Sequence, residues 1–275
     1  MDADELRRVA DIAAEAEGKD GTEPLDEATW LALRHRADDL AAWVEPDGFA
    51  FVAGGDLSLV VRPSARSHGT GARLLDQALA GVPAGPLQAW SHVGHPAAER
   101  LAATRGFDRV RELWVMRRPT SQPVGEVAVP DDVVVRRYRP QDEAELLRVN
   151  AAAFAGHPEQ GRMSADDLAE RMAEPWFDAS GLIVAARGRT LLGFHWTKQH
   201  SRDLGEVYVV GIDPAAQGTG LGRALTRAGL RHLADRGVRE VLLYVEADND
   251  RAVSLYTRDG FTHAASDTHV MYRRP

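Results

Sequence analysis

One short glycine-rich pattern occurs twice in this chain of 275 residues, and the repetition constrains the fold more than any other feature. The copies are residues 66–71 (Arg-Ser-His-Gly-Thr-Gly) and 217–222 (Gln-Gly-Thr-Gly-Leu-Gly), each following an apolar segment. Further along, each copy has a Gly-Phe pair and then a Val-Met pair, and the three features are offset by 151, 154 and 155 residues. A nearly constant offset over about fifty residues predicts a duplicated domain.

Composition narrows the class of protein. The 33 Lys and Arg residues against 41 Asp and Glu give a net charge of −8, which argues against a nucleic acid or an anionic membrane as partner. The chain has no cysteine, so disulfides, thiolate metal sites and a cysteine nucleophile are excluded. No apolar run approaches the roughly 18 residues of a membrane span. We therefore expect a soluble, cytoplasmic protein, monomeric, with a small-molecule partner.

The domain boundary is predicted from composition. Residues 118–132 hold three prolines and few large apolar side chains, which is typical of a linker. We predict a first domain over residues 1–118, a linker over 119–132 and a second domain over 133–275. A Pro-Asp-Gly breaker at residues 46–48 separates two apolar segments and predicts a hairpin. Each half is thus predicted to be mixed α/β, with a mostly antiparallel sheet and flanking helices.

The glycine pattern also predicts an anion site. Glycines allow the backbone to approach a ligand closely, and the helix that follows points its free N–H groups at the same place. A Rossmann turn is the first alternative, but Arg223 stands where that motif needs glycine. A P-loop is the second, but no Gly-Lys-Ser/Thr is present.

Together with a predicted helix bearing Asn249, Ala252 and Tyr256 and the closing Gly-Phe pair, these turns resemble those of the GNAT acetyltransferase superfamily. In that family a Gln/Arg-x-x-Gly-x-Gly/Ala turn holds the pyrophosphate of acetyl-CoA. A structural glycine turn of an unrelated α/β protein is the alternative, which two tandem copies make less favourable. The resemblance implies two tandem GNAT domains, acetyl-CoA as co-substrate, no metal, and direct acetyl transfer to an amine.

The resemblance further implies which residues contact the coenzyme. Most belong to the second domain, and three strand residues belong to the first. The predicted set is Val210, Gly211, Ile212, Gln217, Gly218, Thr219, Gly220, Leu221, Gly222, Arg223, Asn249, Arg251, Ala252, Val253, Ser254, Leu59, Val60 and Val61.

Two residues of the second domain are candidates for proton transfer. Glu206 lies on the strand before the turn and would accept the proton of the substrate amine, directly or through water. Tyr256 would donate a proton to the leaving CoA thiolate. A solvent-facing strand carboxylate and a tyrosine that only packs in the core are the respective alternatives.

Counting residues from the shared landmarks compares the two copies. Glu206 aligns with Gly55, and Tyr256 aligns with Ala102. The first copy therefore lacks both candidate groups, although Asp56 is next to Gly55. We predict chemistry in the second domain and a non-catalytic first domain, which either holds a CoA molecule or only supports the substrate cleft.

A narrower resemblance, to tandem GNAT enzymes that acetylate the cysteinyl amine of a glucosaminyl-inositol, covers several runs of the second half. They are residues 148–150, 154–161, 192–198, 205–209, 213–217 and 243–249. The resemblance implies that substrate as acceptor and places it against Glu159, Lys198, Glu206 and Tyr244, with Glu27 as a looser choice. The alternative is that these are ordinary polar surface residues.

Other functions remain open at this stage. A GNAT enzyme that acetylates another small amine or a protein N-terminus is one, and a CoA-sensing module without catalysis is another. His157 and His195 have no third metal ligand spaced with them, so we predict structural roles for both.

Overall fold

The structure, a computed structural model, describes residues 1–156 and 160–275. The chain divides into two compact units. Unit 1 contains Met1–Trp114, Glu246–Asp248 and Ala264–Pro275, and unit 2 contains Val115–Val245 and Asn249–His263. This division differs from the predicted domains at the C-terminus, because residues 264–275 pack with unit 1.

Unit 1 combines helices with a mostly antiparallel sheet. Its helices are α1 (Ala3–Asp20), α2 (Glu27–His35), α3 (Thr70–Gly81) and α4 (Pro96–Thr104). Its strands are β1 (Ala41–Glu45), β2 (Gly48–Ala53), β3 (Asp56–Val61), β4 (Leu87–Ser91) and the first part of β5 (Asp108–Pro119). The strand order β1-β2-β3-β4 continues to the C-terminal strand of the chain, β11 (Thr262–Arg274). Only the β3–β4 pair in this run is parallel.

Unit 2 has the same kind of architecture. Its helices are α5 (Glu143–Ala153), α6 (Ala165–Met172), α7 (Leu221–Asp235) and α8 (Asp250–Arg258). Its strands are β6 (Val134–Arg137), β7 (Leu182–Arg187), β8 (Thr190–Gln199), β9 (Leu204–Ile212) and β10 (Glu240–Glu246). They follow the order β10-β9-β8-β7-β6, in which only β9 and β10 are parallel. The predicted mixed α/β class is confirmed.

Local sequence signals account for many of these elements. The Pro-Asp-Gly breaker joins β1 to β2, as predicted, with Glu45 paired to Gly48. Asp26 caps α2 by accepting the Thr29 N–H at 2.7 Å. In α1, Val9, Ile12 and Ala16 recur at helical spacing and are buried on the face that packs against the sheet.

Each unit has its own buried core. In unit 1, α1 packs on Phe49 and Phe51, whose rings stack at 4.9 Å. In unit 2, Phe194 and Trp196 of β8 lie at the centre of the larger cluster, beneath α5 and α6. Among the described residues, no helix is both long enough and apolar enough to cross a bilayer.

The segment predicted as a linker is fastened to unit 2. Arg118 is only 2% exposed and donates hydrogen bonds to the carbonyl oxygens of Asp259, Pro119, Gln122 and Pro123. A guanidinium has five donors in a fixed fork, so one side chain can satisfy several carbonyls of an irregular segment. The boundaries of a linker at 119–132 stay a prediction, but its first residues are packed rather than free.

Candidate active site

The glycine turn of unit 2 has the geometry that an anion cradle requires. Gly218 and Gly220 have φ of +82° and +89°, a region that favours glycine. The Thr219 hydroxyl donates to the Ala216 carbonyl at 2.7 Å and fixes the turn. Helix α7 begins directly afterwards at Leu221, and in the described part of the chain no side chain caps it. Its first N–H groups are therefore available to a negatively charged ligand.

Helix α8 is joined to this turn. The Arg251 guanidinium donates to the Gln217 side-chain oxygen at 2.8 Å, and the Asn249 side chain caps α8 by accepting the Ala252 N–H at 3.1 Å. A methyl group at Gly222 would come within 3.6 Å of Leu255 on α8. The predicted coenzyme residues of the turn and those of α8 are therefore close to one another in the structure.

The parallel strands β9 and β10 diverge at Glu206, the candidate base. Their pairing runs from Leu204 opposite Glu240 to Glu206 opposite Leu242, and in the described structure it goes no further although both strands continue. Backbone N–H and C=O groups of residues 207–212 on that side are therefore left for another partner. The predicted coenzyme strand, Val210 to Ile212, lies along this opening.

Glu206 is buried at the point where the strands part. Only 5% of the residue is exposed, and its Oε2 lies 2.6 Å from His200 Nε2. Its cross-strand partner is Lys198, which lies directly opposite it on β8. Two residues predicted from separate runs of sequence, Lys198 and Glu206, are therefore brought together by strand register.

Lys198 rests on two aromatic rings. Its ammonium is 4.7 Å from the centre of the Trp176 ring and 5.4 Å from that of Tyr208, both within cation–π range. Tyr208 is the extra residue of a β-bulge, because Trp196 pairs with Val209 and the next residue pairs with Val207. Sequence reasoning missed Trp176, Tyr208 and His200. Alternation along β8 places residue 200 on the same face as Lys198, and that signal would have found the histidine.

Tyr256 lies on α8 and is half-buried. Its ring packs edge-on against Phe261 with 5.8 Å between the centres. Desolvation raises the pKa of Tyr256 to about 12. The phenol therefore carries its proton at neutral pH, as a proton donor must.

The glycine turn of unit 1 has the same backbone conformation. Ser67 and Gly69 have φ of +66° and +85° where the other turn has its two left-handed glycines. Helix α3 begins at Thr70, again without a side-chain cap in the described chain. Beside this turn is a cavity of about 510 Å³, whose walls include the three predicted strand residues Leu59, Val60 and Val61.

Strand register corrects one comparison of the two copies. In β2–β3, Ala53 pairs with Asp56, and in β8–β9 the corresponding pair is Lys198 with Glu206. The bulge adds one residue to β9, so Glu206 matches Asp56 rather than Gly55. The inference that the first copy has no carboxylate at this position is wrong. The exposed Asp56 accepts a hydrogen bond from Gln88 at 2.6 Å instead of facing a histidine.

The match of Tyr256 with Ala102 is confirmed by the structure. The N–H of Phe261 donates to the Tyr256 carbonyl at 3.0 Å, and the N–H of Phe107 donates to the Ala102 carbonyl at 3.0 Å. Ala102 has no proton to donate, so unit 1 holds a carboxylate without the partner acid.

Comparison with known proteins supports what the geometry indicates. The model of the acetyltransferase (GNAT) family matches residues 150–261. A GCN5-related N-acetyltransferase from Sphaerobacter thermophilus has the same fold with a TM-score of 0.68 at 22% identity, covering 99% of this chain and 94% of its own. A tandem GNAT protein from the clavulanic acid biosynthesis pathway gives a TM-score of 0.74 at 16% identity, with 99% and 95% covered.

Relatives that match over their full length identify a narrower family. A mycothiol acetyltransferase from Nocardioides sp. is 59% identical over 290 residues, covering 99% of this chain and 98% of the relative. A second protein of that name, from Catenulispora acidiphila, is 46% identical, with 98% and 95% covered. The chain belongs to the mycothiol acetyltransferase family. Its predicted membership of the GNAT superfamily and its tandem fold are confirmed.

The remaining predicted residues of this mycothiol acetyltransferase family member lie in different places. Tyr244 is on β10, two residues beyond the last paired position, and is 41% exposed. Glu27 is the first residue of α2 in unit 1. Glu159 and His157 lie outside the described residues.

His195 has the structural role that the sequence predicted. It is fully buried, its Nδ1 lies 2.8 Å from the Leu225 carbonyl, and a methyl group at Gly229 would collide with its ring. Burial lowers the pKa of His195 from 6.5 to about 4. The imidazole is therefore neutral in the folded protein at physiological pH.

Acid should destabilise the protein through this histidine. Between pH 6.5 and 4, His195 binds a proton in the unfolded chain but not in the folded protein. The free energy of unfolding should therefore decrease as the pH is lowered, by up to about 1.4 kcal/mol per pH unit. Urea unfolding across this range measures the slope. His195→Gln has no titrating group and should show a shallower slope, and equal slopes would contradict the role of His195.

Proposed function

We propose that the protein transfers acetyl from acetyl-CoA to the cysteinyl amine of 1D-myo-inositol 2-(L-cysteinylamino)-2-deoxy-glucopyranoside, the last step of mycothiol biosynthesis. The observation that carries the chemistry is the buried carboxylate of Glu206 where β9 and β10 part. The name of the full-length relatives supports the choice of acceptor.

The coenzyme is proposed to bind along β9 and at the start of α7. The unpaired edge of residues 210–212 would bind the pantetheine arm, and the N–H groups at the start of α7 would bind the diphosphate. Left-handed Gly218 and Gly220 keep that approach clear, since no described atom lies within 4 Å of a methyl group at either. A backbone N–H of this edge, aimed at the thioester oxygen, would stabilise the developing oxyanion.

Glu206 is proposed as the general base. A substrate amine is protonated at neutral pH and must lose a proton before its lone pair can attack the thioester carbon. The carboxylate accepts that proton, directly or through water. Burial keeps it in a low-dielectric environment where its interaction with an ammonium is strengthened.

Tyr256 is proposed as the acid that protonates the departing thiolate. Tyr256→Phe removes the hydroxyl but keeps the ring packing against Phe261, so kcat should fall about 10²-fold at least, with little change in the Kd of acetyl-CoA. Steady-state kinetics and calorimetry measure the two constants. Because the pKa of Tyr256 is about 12, loss of this acid should produce no alkaline limb below pH 10. Full activity of the variant would refute the assignment.

The acceptor is proposed to lie against Lys198, Glu206 and Tyr244, with Glu159 and Glu27 as further contacts. Lys198 is held on two rings and next to Glu206, so its long side chain is already ordered before substrate arrives. Preordering lowers the entropic cost of binding.

Unit 1 is proposed to bind a second CoA molecule without acetylating anything. Its glycine turn has the same backbone conformation as the turn of unit 2, and Leu59, Val60 and Val61 line the adjoining cavity. Ala102 in place of the acid supports a binding role. The proposal also includes a monomer in the cytoplasm, on the basis of the sequence alone.

Mass spectrometry tests the reaction. The protein, acetyl-CoA and the cysteinyl-glucosaminyl-inositol are mixed, and the product is fragmented to locate the added acetyl group. Acetyl on the cysteinyl nitrogen is the expected result. An unmodified amine together with acetylation of another small amine or of a protein N-terminus would overturn the choice of acceptor.

A further inference from the structure

His200 is the hydrogen-bond partner of the candidate base among the described residues. Its Nε2 lies 2.6 Å from Oε2 of Glu206. The carboxylate side chain is 7% exposed, whereas the imidazole is 24% exposed and lies at the edge of the buried site. One side of an otherwise buried carboxylate is thus held by a single ring.

The backbone that carries the ring is fixed by hydrogen bonds that do not involve Glu206. His200 follows the last paired residue of β8, Gln199, which lies opposite Gly205. The His200 N–H donates to the Leu204 carbonyl at 3.0 Å, and the Ser201 hydroxyl oxygen accepts the Leu204 N–H at 3.1 Å. These bonds close the turn and fix the point on the backbone from which the imidazole reaches Glu206.

The chemistry of the two groups determines which of them donates the hydrogen bond. An ionised carboxylate has no proton to give, so the hydrogen between the two atoms belongs to Nε2 of the imidazole. Oε2 then has one of its lone pairs engaged, so Oε1 is the more open oxygen for the acceptor amine. A charge-assisted bond of this length also restricts rotation about the last torsion of the glutamate.

We propose that His200 is a positioning residue that aims Oε1 of Glu206 at the amine. The inference rests on the proposed function. In the step that it serves, an N–H bond of the ammonium breaks and its proton goes to Oε1. The freed lone pair forms the N–C bond to the acetyl carbon, and the C–S bond breaks with its electron pair on sulfur. The sulfur takes the Tyr256 proton, and the new amide nitrogen loses its second proton to water. Nε2–H stays on His200 throughout.

Two substitutions at this position separate a directed hydrogen bond from bulk packing. His200→Gln keeps an amide N–H that can reach Glu206, whereas His200→Ala removes the donor. His200→Ala should lower kcat about tenfold or more, because a misdirected base loses its alignment, with the KM for acetyl-CoA unchanged. His200→Gln should stay within about threefold of the wild type. His35→Ala, at an exposed histidine on α2, is the matched control and should have no effect.

A double-mutant cycle tests whether His200 acts through Glu206. In the Glu206→Gln background, His200→Ala should cost nothing more, because the group it positions is already gone. An equal further loss in that background, or a His200→Gln variant as slow as His200→Ala, would overturn the inference. So would wild-type kcat in His200→Ala.

The same set of proteins distinguishes this failure from that of the proposed function. If Glu206→Gln lowers kcat while His200→Ala does not, only the inference about His200 fails. If Glu206→Gln is as active as the wild type, the assignment of the base fails, and the positioning role is refuted with it.

Discussion

Glu206→Gln is expected to lower kcat by about 10²- to 10⁴-fold, the usual contribution of a general base. The amide has nearly the shape of the carboxylate, and its oxygen can still accept the His200 Nε2–H. It cannot take the proton of an ammonium. The Kd of acetyl-CoA should stay the same, because the glycine turn and the start of α7 are untouched.

Stopped-flow measurement of acetyl transfer, with calorimetry for coenzyme binding, separates these two constants. Glu143→Gln is the matched control, since Glu143 is an exposed glutamate at the start of α5 in the same unit. The assignment is defeated if Glu206→Gln retains wild-type kcat, or if its loss appears only in the Kd of the coenzyme.

The second large effect is expected from Gly220→Asp. Asp tolerates the left-handed conformation better than most residues, and no described atom lies within 4 Å of the added methylene, so the fold should persist. Its carboxylate would stand at the proposed diphosphate site. Like-charge repulsion should raise the Kd of acetyl-CoA at least tenfold, which corresponds to about 1.4 kcal/mol.

Gly220→Asn is the control, because Asn has the same shape and the same tolerance of positive φ without the charge. Calorimetry should show a much smaller rise in Kd for Asn than for Asp. Gly69→Asp makes the same change in unit 1 at φ of +85° and should remove the proposed second CoA site without lowering kcat. Equal Kd values for Gly220→Asp and Gly220→Asn would refute the anion cradle.

Local sequence predicted the parts of the fold that local interactions control. The glycine turns need positive φ at fixed positions, so their spacing was visible as letters, and the turns in both units have that conformation. The Pro-Asp-Gly hairpin was predicted for the same reason, since it depends on residues within a few positions of one another.

Long-range pairing controlled what the sequence missed. The bulge at Tyr208 is a property of two strands, and without it residue counting aligned Glu206 with Gly55. The meeting of Trp176 with Lys198 joins residues more than twenty positions apart. The return of residues 264–275 to unit 1 likewise depends on which strand β11 pairs with, here β4.

The sequence by itself therefore determined that this protein carries the same glycine turn twice, and it predicted that Glu206 and Tyr256 are the groups that move protons. The repeat follows from residue type and spacing, which are fixed by the covalent chain, and the two roles follow from the family resemblance that this pattern carries. The tertiary structure alone decided that Glu206 is buried, that His200 holds one of its oxygens, and that the strands part beside it. Burial and hydrogen-bond partners depend on strand register, and a shift of one residue would turn each side chain to the opposite face.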